Sequence, residues 1–235
     1  CSLLALTDGT YVVPLATAQD HKRAYDDDKG PNTGGMGVYS PVPFVTDEEL
    51  SQMIAIEQRV VDQLKKEGIN YSGCLYGGFM LTKDGPKVLE FNARFGDPET
   101  QVVLPRLEGD LVSILMACDN STLRHQQVSW SDTVAVSVVL ASAGYPGSYE
   151  KGNEITGIEA AQQLEGVSVY HAGTARTEDG KIVTAGGRVL NVTALAPTFE
   201  EARARAYEAC DLINFEGKQL RHDIGLKALQ GRPEK

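Results

Sequence analysis

The chain has 235 residues, of which 42% are hydrophobic and 23% charged, with a formal net charge of −10. This is enough apolar material for one large or two modest domains, and no apolar run reaches the ~20 residues of a membrane-spanning helix. The acidic balance excludes a broad nucleic-acid or anionic-membrane surface, which needs a basic stripe, and no basic-then-apolar leader is present, so the expected location is cytoplasmic.

The chain opens with two β-prone runs, Ser2 to Thr7 and Thr10 to Leu15, around Asp8-Gly9, a strong hairpin signal. Residue 1 is Cys and the apolar run follows at once, as if the sequence began inside a domain. A second reading of Cys1 is the N-terminal nucleophile of an amide hydrolase, with its own amine as base. Cys74, Cys118 and Cys210 have no C-x-x-C spacing with it or with one another, so reduced thiols are expected rather than a zinc site or a disulfide framework.

From Ala16 to Pro43 periodicity disappears, and a structureless stretch of this length is a functional loop or disorder. It carries Gln19-Asp20-His21-Lys22-Arg23, where the basic residues either hold a phosphate or are plain exposed charge, and then Asp26 to Asp28. In Pro31-Asn32-Thr33-Gly34-Gly35-Met36-Gly37 the glycines allow close backbone approach, and Asn32 and Thr33 add short polar contacts. The pattern matches neither the P-loop nor the dinucleotide fingerprint. It is read as a mobile lid over an anionic substrate, against the alternative of an ordinary surface loop.

Thr46 and Asp47 start a helix whose apolar stripe is Leu50, Met53, Ile54, Val60, Val61 and Leu64, with Gly68 as its stop. Residues 74–82 and 86–93 then pair around Asp84-Gly85. Strand alternation sends Glu90 and Asn92 out together, with Leu89 and Phe91 packed behind them. A carboxylate and an amide two residues apart are hard oxygen donors suited to one Mg²⁺; the other reading is an edge strand with a wet face. After Arg94-Phe95-Gly96, Asp97-Pro98-Glu99 reads as N-cap, first-turn proline and first-turn acid of a helix whose N-terminus suits an anion. Asp97 is then either a cap alone or a cap that also meets substrate.

Beyond Asn120 the texture is short β-runs punctuated by glycine: 134–141, 167–171, 181–184 and 187–194, with the turn Gly144-Tyr145-Pro146-Gly147 between the first two. A helix over 198–212 turns Phe199, Ala202, Ala206 and Cys210 inward. His171 and Arg188 fall at strand ends, open either to a ligand or to ordinary structural roles. The fold class is α+β in two units, 1–118 and 119–235.

QDHKR at 19–23, PNTGGMG at 31–37, VLEFNARFGDPET at 88–100, GYPG at 144–147 and GGRVL at 186–190, in this order, closely resemble the phosphoribosylamine–glycine ligase family. The resemblance implies the second subdomain of an ATP-grasp fold, an antiparallel sheet with helices, followed by a small α+β domain. It implies ATP-dependent joining of glycine to phosphoribosylamine, in purine synthesis, through glycyl phosphate. Carried over by position, Glu90 and Asn92 are the metal ligands for Mg²⁺, or Mn²⁺, and Arg94 and Asp97 are catalytic. Gln19, Asp20, His21, Lys22, Arg23, Asn32, Thr33, Gly34, Gly35, Gly37 and Arg188 surround the substrates. Family members carry further parts upstream, so the chain is expected to need that missing half, in cis or in trans, and to turn over little alone. A non-catalytic nucleotide-binding or assembly module is the alternative from another class.

Overall fold

The computed structural model describes residues 1–232. The first sheet grows from Ser2–Thr7 (β1), all six residues of which are buried, as an unbroken apolar run covered on both faces should be. Gly9, at φ +83, turns the chain into Val12–Pro14 (β2), and the Asp8 carboxylate accepts the N–H groups of Thr10 (3.0 Å) and Tyr11 (2.9 Å). The hairpin expected here is present, with a shorter second strand.

The stretch read as structureless is ordered. It contains Gln19–Asp20 (β3), Arg23–Tyr25 (β4), Lys29–Asn32 (β5) and Gly37–Ser40 (β6). Strands of two to four residues leave too little pattern to read as β. Helix Asp47–Lys66 (α1) begins at Thr46 with a capping box: the Thr46 hydroxyl accepts the Glu49 N–H at 3.2 Å, and the Glu49 carboxylate accepts the Thr46 N–H at 3.1 Å. Strands Gly73–Thr82 (β7) and Gly85–Asn92 (β8) complete an antiparallel sheet of order β2-β1-β7-β8. On one face α1 covers Leu3 and Phe79 with Met53; on the other, Leu4, Leu6 and Tyr76 pack with Val102, Val103 and Ile114.

Beyond β8 come the short helix Thr100–Val103 (α2), Leu107–Glu108 (β9), Leu111–Asp119 (α3) and Ser129–Trp130 (β10). Next are Val134–Ser142 (β11), Ile158–Gln162 (α4), Val167–His171 (β12), Thr174–Arg176 (β13) and Ile182–Thr184 (β14). Arg188–Ala196 (β15), Phe199–Leu212 (α5), Lys218–Gln219 (β16) and Leu226–Gln230 (α6) follow. The second sheet runs β12-β15-β11-β6-β3, with β16 also on β11, so β6 from the front of the chain sits beside a strand a hundred residues later and β3 forms the edge beyond it. Helix α5 closes its outer face through Ala202, Ala206, Ala209 and Cys210, all fully buried, close to the inward stripe expected.

One buried residue breaks the apolar rule. Glu57 lies on the stripe between Met53 and Val61 at 0% exposure; the Gly77 N–H approaches it, but neither carboxylate oxygen gains a well-aligned hydrogen bond. Burial pushes its carboxyl up to about 8, so in the folded chain it holds a proton at neutral pH. The unfolded chain releases that proton near its ordinary value of 4.5, so the folded state loses relative stability as pH rises from there through about 8. Glu57→Gln, which keeps the shape and cannot ionise, is expected to remove this slope. Its stability should exceed that of the parent by a few kcal/mol, on the order of what such a shift implies, by pH 8.5. Thermal melts of both proteins from pH 5 to 8.5 check this, and parallel curves would exclude it.

Candidate functional site

The site begins with the register of the first sheet. Ser2 stands opposite Gly78 and Gly78 opposite Glu90, while Tyr76 stands opposite Asn92. Facing residues in neighbouring strands share a side, so Ser2, Tyr76, Glu90 and Asn92 project from the face away from α1. The joint projection of Glu90 and Asn92 is as expected. The packing behind them is not: Leu89 is 64% exposed, and Phe91 and Val88 line an open groove of about 460 Å³ against Ile56, Val60 and Leu64 of α1. A register shift at Gly78/Phe79 puts Val88 opposite Phe79, on the α1 side, which simple alternation cannot anticipate.

After β8 the chain turns at Gly96, and here the helix start read from the sequence is corrected. Asp97 does not cap. The Thr100 N–H donates to Gly96 O at 3.0 Å, helix α2 spans only Thr100–Val103, and the Asp97 carboxylate takes Gln101 Nε2 at 3.1 Å and Arg188 at 3.3 Å. A four-residue helix also supplies no useful dipole end for an anion. Glu99, read only as a first-turn acid, is buried, and its Oε1 accepts the hydroxyls of Tyr76 (2.8 Å) and Ser2 (3.2 Å).

Opposite this face lies the segment from Gln19 to Gly37. Asp20 has a side chain 2% exposed, 2.7 Å from Lys22 Nζ, while the Lys22 side chain is about half exposed. Burial first, and then the charge of Glu99, push the Asp20 carboxyl up to about 7. Burial would lower Lys22, but Asp20, Glu99 and Glu90 outweigh it and raise its ammonium above the ordinary value. The Lys22 carbonyl accepts Thr33 N–H at 2.7 Å, and Thr33 Oγ1 accepts Gly35 N–H at 2.9 Å, so the glycine loop folds back on QDHKR. Gly35, at φ +121, passes so close that a Cβ there would stand 2.6 Å from Asp20 Oδ1 and from Pro98 Cδ.

Arg188 fastens the loop from the second sheet. Its Nη1 donates to Gly34 O (2.9 Å) and Asp97 O (2.8 Å), and the Gly34 N–H donates to the Tyr145 hydroxyl at 3.0 Å. The motifs at 31–37, 97, 145 and 188 therefore meet at one place. The segment is no free lid: Met36 and Gly37 are buried, and Gly37 is the first residue of β6 in the second sheet.

The remaining sequence-derived residues divide. Arg94 is exposed on the bend after β8, with Nη1 on the Phe95 carbonyl oxygen at 2.9 Å, and Asn32 is exposed at the end of β5. Gln19 receives the Tyr39 hydroxyl at 2.5 Å, and Arg23 donates to Gly30 O at 2.7 Å. His21 faces inward. It is 1% exposed, its Nδ1 lies 3.0 Å from Gly37 O, and burial together with the Arg221 charge holds it down at about 4. His171 stays apart, exposed and 3.0 Å from Thr174 Oγ1. Cys1 runs in line with β1, and its amine donates to Phe79 O at 2.9 Å.

Sequence reading also missed Arg221. Its side chain is fully buried, gripping both oxygens of Asp223 at 2.7 and 2.6 Å, Asp28 at 3.0 Å and Arg23 O at 3.1 Å. The acidic run at 26–28 is the socket for this arginine and for its neighbours, with Asp26 accepting His222 N–H at 2.7 Å and Asp28 meeting Lys227 at 2.6 Å. The signal was the unexplained acid run itself.

Among the described residues no group of three or more His, Cys, Asp or Glu is arranged for a metal. Glu90 and Asn92 instead present two hard oxygens on an open face, a donor set that fits an ion keeping water and phosphate oxygens in its other positions, as Mg²⁺ does. No described helix is long and apolar enough to cross a membrane.

Antiparallel sheets flanked by helices, with E-x-N on an open strand face, define an ATP-grasp enzyme fold. Residues 1–100 match the phosphoribosylglycinamide synthetase ATP-grasp (A) domain and residues 135–227 match the C domain of the same family. The chain belongs to the phosphoribosylglycinamide synthetase family. It is 52% identical over 97% of its length to a trifunctional purine biosynthetic protein adenosine-3 from Gallus gallus, of which it covers 23%. It is 50% identical to a phosphoribosylamine–glycine ligase from Caldanaerobacter subterraneus subsp. tengcongensis, covering 95% of this chain and 53% of that protein. The crystal structure of a phosphoribosylamine–glycine ligase from Thermotoga maritima superposes with a TM-score of 0.82 at 39% identity, over 94% of this chain and 54% of that one. The chain thus spans about half the length of the single-function relatives it matches.

The crowding at Gly35 yields a direct expectation. Gly35→Ala must place a Cβ against Asp20 and Pro98 at a φ that L-residues avoid, and should cost about 2–4 kcal/mol. Urea unfolding checks this; a loss below about 1 kcal/mol would show that the loop yields freely.

Proposed function

We propose that this chain supplies the metal- and substrate-bearing part of an ATP-dependent ligase. The enzyme joins glycine to 5-phosphoribosylamine, giving glycinamide ribonucleotide, ADP and phosphate by way of glycyl phosphate. The observation that carries the reading is the convergence of Lys22, Glu90 and Asn92 with a glycine loop that Arg188 ties to Asp97. Family membership and the purine-synthesis names of the relatives support it. The chain is read as two units, 1–118 and 119–235, sharing the second sheet, and as cytoplasmic.

Glu90 and Asn92 would hold Mg²⁺, or Mn²⁺ in its place, which would supply positive charge to offset that of the phosphates. Lys22, half exposed and kept cationic by three carboxylates, is placed to meet a transferring phosphoryl group. Arg94, whose side chain lies on the same exposed turn after β8, adds a second cation for the glycine carboxylate as it takes the phosphoryl group. Asp20 orients Lys22, and His21 braces Gly37 from beneath rather than touching substrate. The exposed rim of Arg23, Asn32, Thr33 and Gly34, with Arg188 and Asp97 behind it, suits the ribose phosphate. Gln19 stands at the inner end of this segment. An acyl phosphate must be kept from water, and the surface that covers it belongs to the remainder of the ligase, in cis or in trans.

The test is ADP release that requires both glycine and phosphoribosylamine, measured with MgATP on this chain alone and on the chain completed by the rest of the ligase. The completed enzyme is expected to turn over and the 235-residue chain alone to be nearly silent. In the completed enzyme, Asn92→Ala and Arg94→Ala should each lower kcat by at least ~10²-fold with little change in melting temperature. Wild-type turnover that ignores glycine, or full turnover without Arg94, would contradict the assignment.

A further inference from the structure

Strand β8 ends the first sheet, and among the described residues its outer edge pairs with no other strand. Every residue from Lys87 to Phe91 is exposed, with Val88 at 42%, Leu89 at 64% and Phe91 at 38%. An apolar edge of this kind invites association, so a folded protein covers it or blunts it. Here the strand is blunted: the ladder pairs Gly78 with Glu90 and Phe79 with Val88, leaving Leu89 as an extra residue that interrupts any further strand pairing. What β8 still offers a partner is apolar side chains rather than a row of backbone groups.

Those side chains form one wall of the groove of about 460 Å³, with Val88 and Phe91 facing Ile56, Val60 and Leu64 of α1. Positions 56, 60 and 64 recur every fourth residue and so make a single ridge along the helix, opposite the strand. An apolar trough between a helix and a strand is shaped to take the apolar stripe of an amphipathic helix. The occupant follows from length. The chain covers 53% of the Caldanaerobacter ligase and 54% of the Thermotoga one, so a complete enzyme carries nearly as many residues again, and these must be held against this chain. Parts that share a cleft need an apolar contact for this, since exposed charge pairs alone are screened by salt. The groove lies on the α1 side of β8 and Glu90 and Asn92 on the other, so a part seated there holds the metal-facing strand from behind and leaves the cleft open.

We infer that the groove between α1 and β8 seats an amphipathic helix from the remainder of the ligase, whose apolar side chains cover Val60, Val88 and Phe91. This rests on the ligase reading above and names the surface through which this chain meets the rest of the enzyme.

The experiment compares this chain alone with the complete ligase that contains it. Gln63→Cys puts a thiol at an exposed position lining the groove, and labelling at that position by a thiol reagent is followed by peptide mass. The expected result is labelling at least about tenfold slower in the complete ligase than in the chain alone. Equal rates would overturn the inference. So would slow labelling of the chain alone together with the mass of a dimer, which assigns the groove to a second copy. Val60→Asp gives an independent reading, because a charge on the half-buried wall is costly only where the groove is covered. It should lower the melting temperature of the complete ligase clearly more than that of the chain alone, and an equal loss in both would count against the docking surface. If Val60→Asp does not fold, the labelling decides. Neither readout needs turnover: a complete enzyme that shields position 63 and yet releases no ADP with glycine would sink the ligase reading and leave the docking surface standing.

Discussion

A guanidinium sealed from water has to be answered on every side by charge and carbonyl oxygen, and Arg221 is answered by parts of the chain almost two hundred residues apart. Asp223 holds it bidentately, Asp28 holds it from the front of the chain, and the Arg23 carbonyl closes the remaining side. Removing one partner from such a buried cluster costs on the order of 3–5 kcal/mol, because the surviving charge stays buried. The cluster therefore fixes where β4 and the 26–28 turn can lie. That in turn fixes His21, the return of the loop through Thr33, and the edge of the cleft.

Above this anchor the segment 19–37 is gripped a second time, by Arg188 from the second sheet. Arg221 sets the base of the loop and Arg188 its tip, while Asp20 and Gly35 pack the space between. The three cysteines other than Cys1 are buried and take no part in this, and burial pushes the Cys74 and Cys210 thiols up to about 12. The polar residues at the cleft are not needed to hold the loop, because backbone geometry and these two arginines already do.

Much of the first unit could be read from the residues. The hairpin at Asp8-Gly9, the capped helix at Thr46, the strand pair around Asp84-Gly85 and the stripe of α5 all rest on local chemistry, and each formed where local chemistry put it. What could not be read depends on distant partners. Gly37–Ser40 is a strand because Val134–Ser142 lies on one side of it and Gln19–Asp20 on the other. Asp97 has every mark of a cap, yet Arg188 and Gln101 claim its carboxylate and the helix starts three residues later. Val88 fell on the opposite face from Glu90 because the ladder slips at Gly78. Within the site, Glu90 and Asn92 were placed correctly on one face, whereas Glu99 was hidden in the ordinary look of a first-turn acid.

The second sheet also bears on how the chain comes to be folded. Its two central strands, β11 and β15, are local to the later half, but the β3–β6 pair must wait for β11 before it becomes part of the sheet. Contacts of such high sequence separation pay the entropy of a long closed loop before they return any stability. During synthesis the first sheet can close soon after β8 has emerged, while the segment carrying QDHKR and PNTGGMG has only its own short pairs, β3 with β6 and β4 with β5, until β11 is made. The cleft is thus among the last parts to acquire its shape, and a nascent chain carries a finished β8, with Glu90 and Asn92 side by side, well before the loop that faces them is fixed.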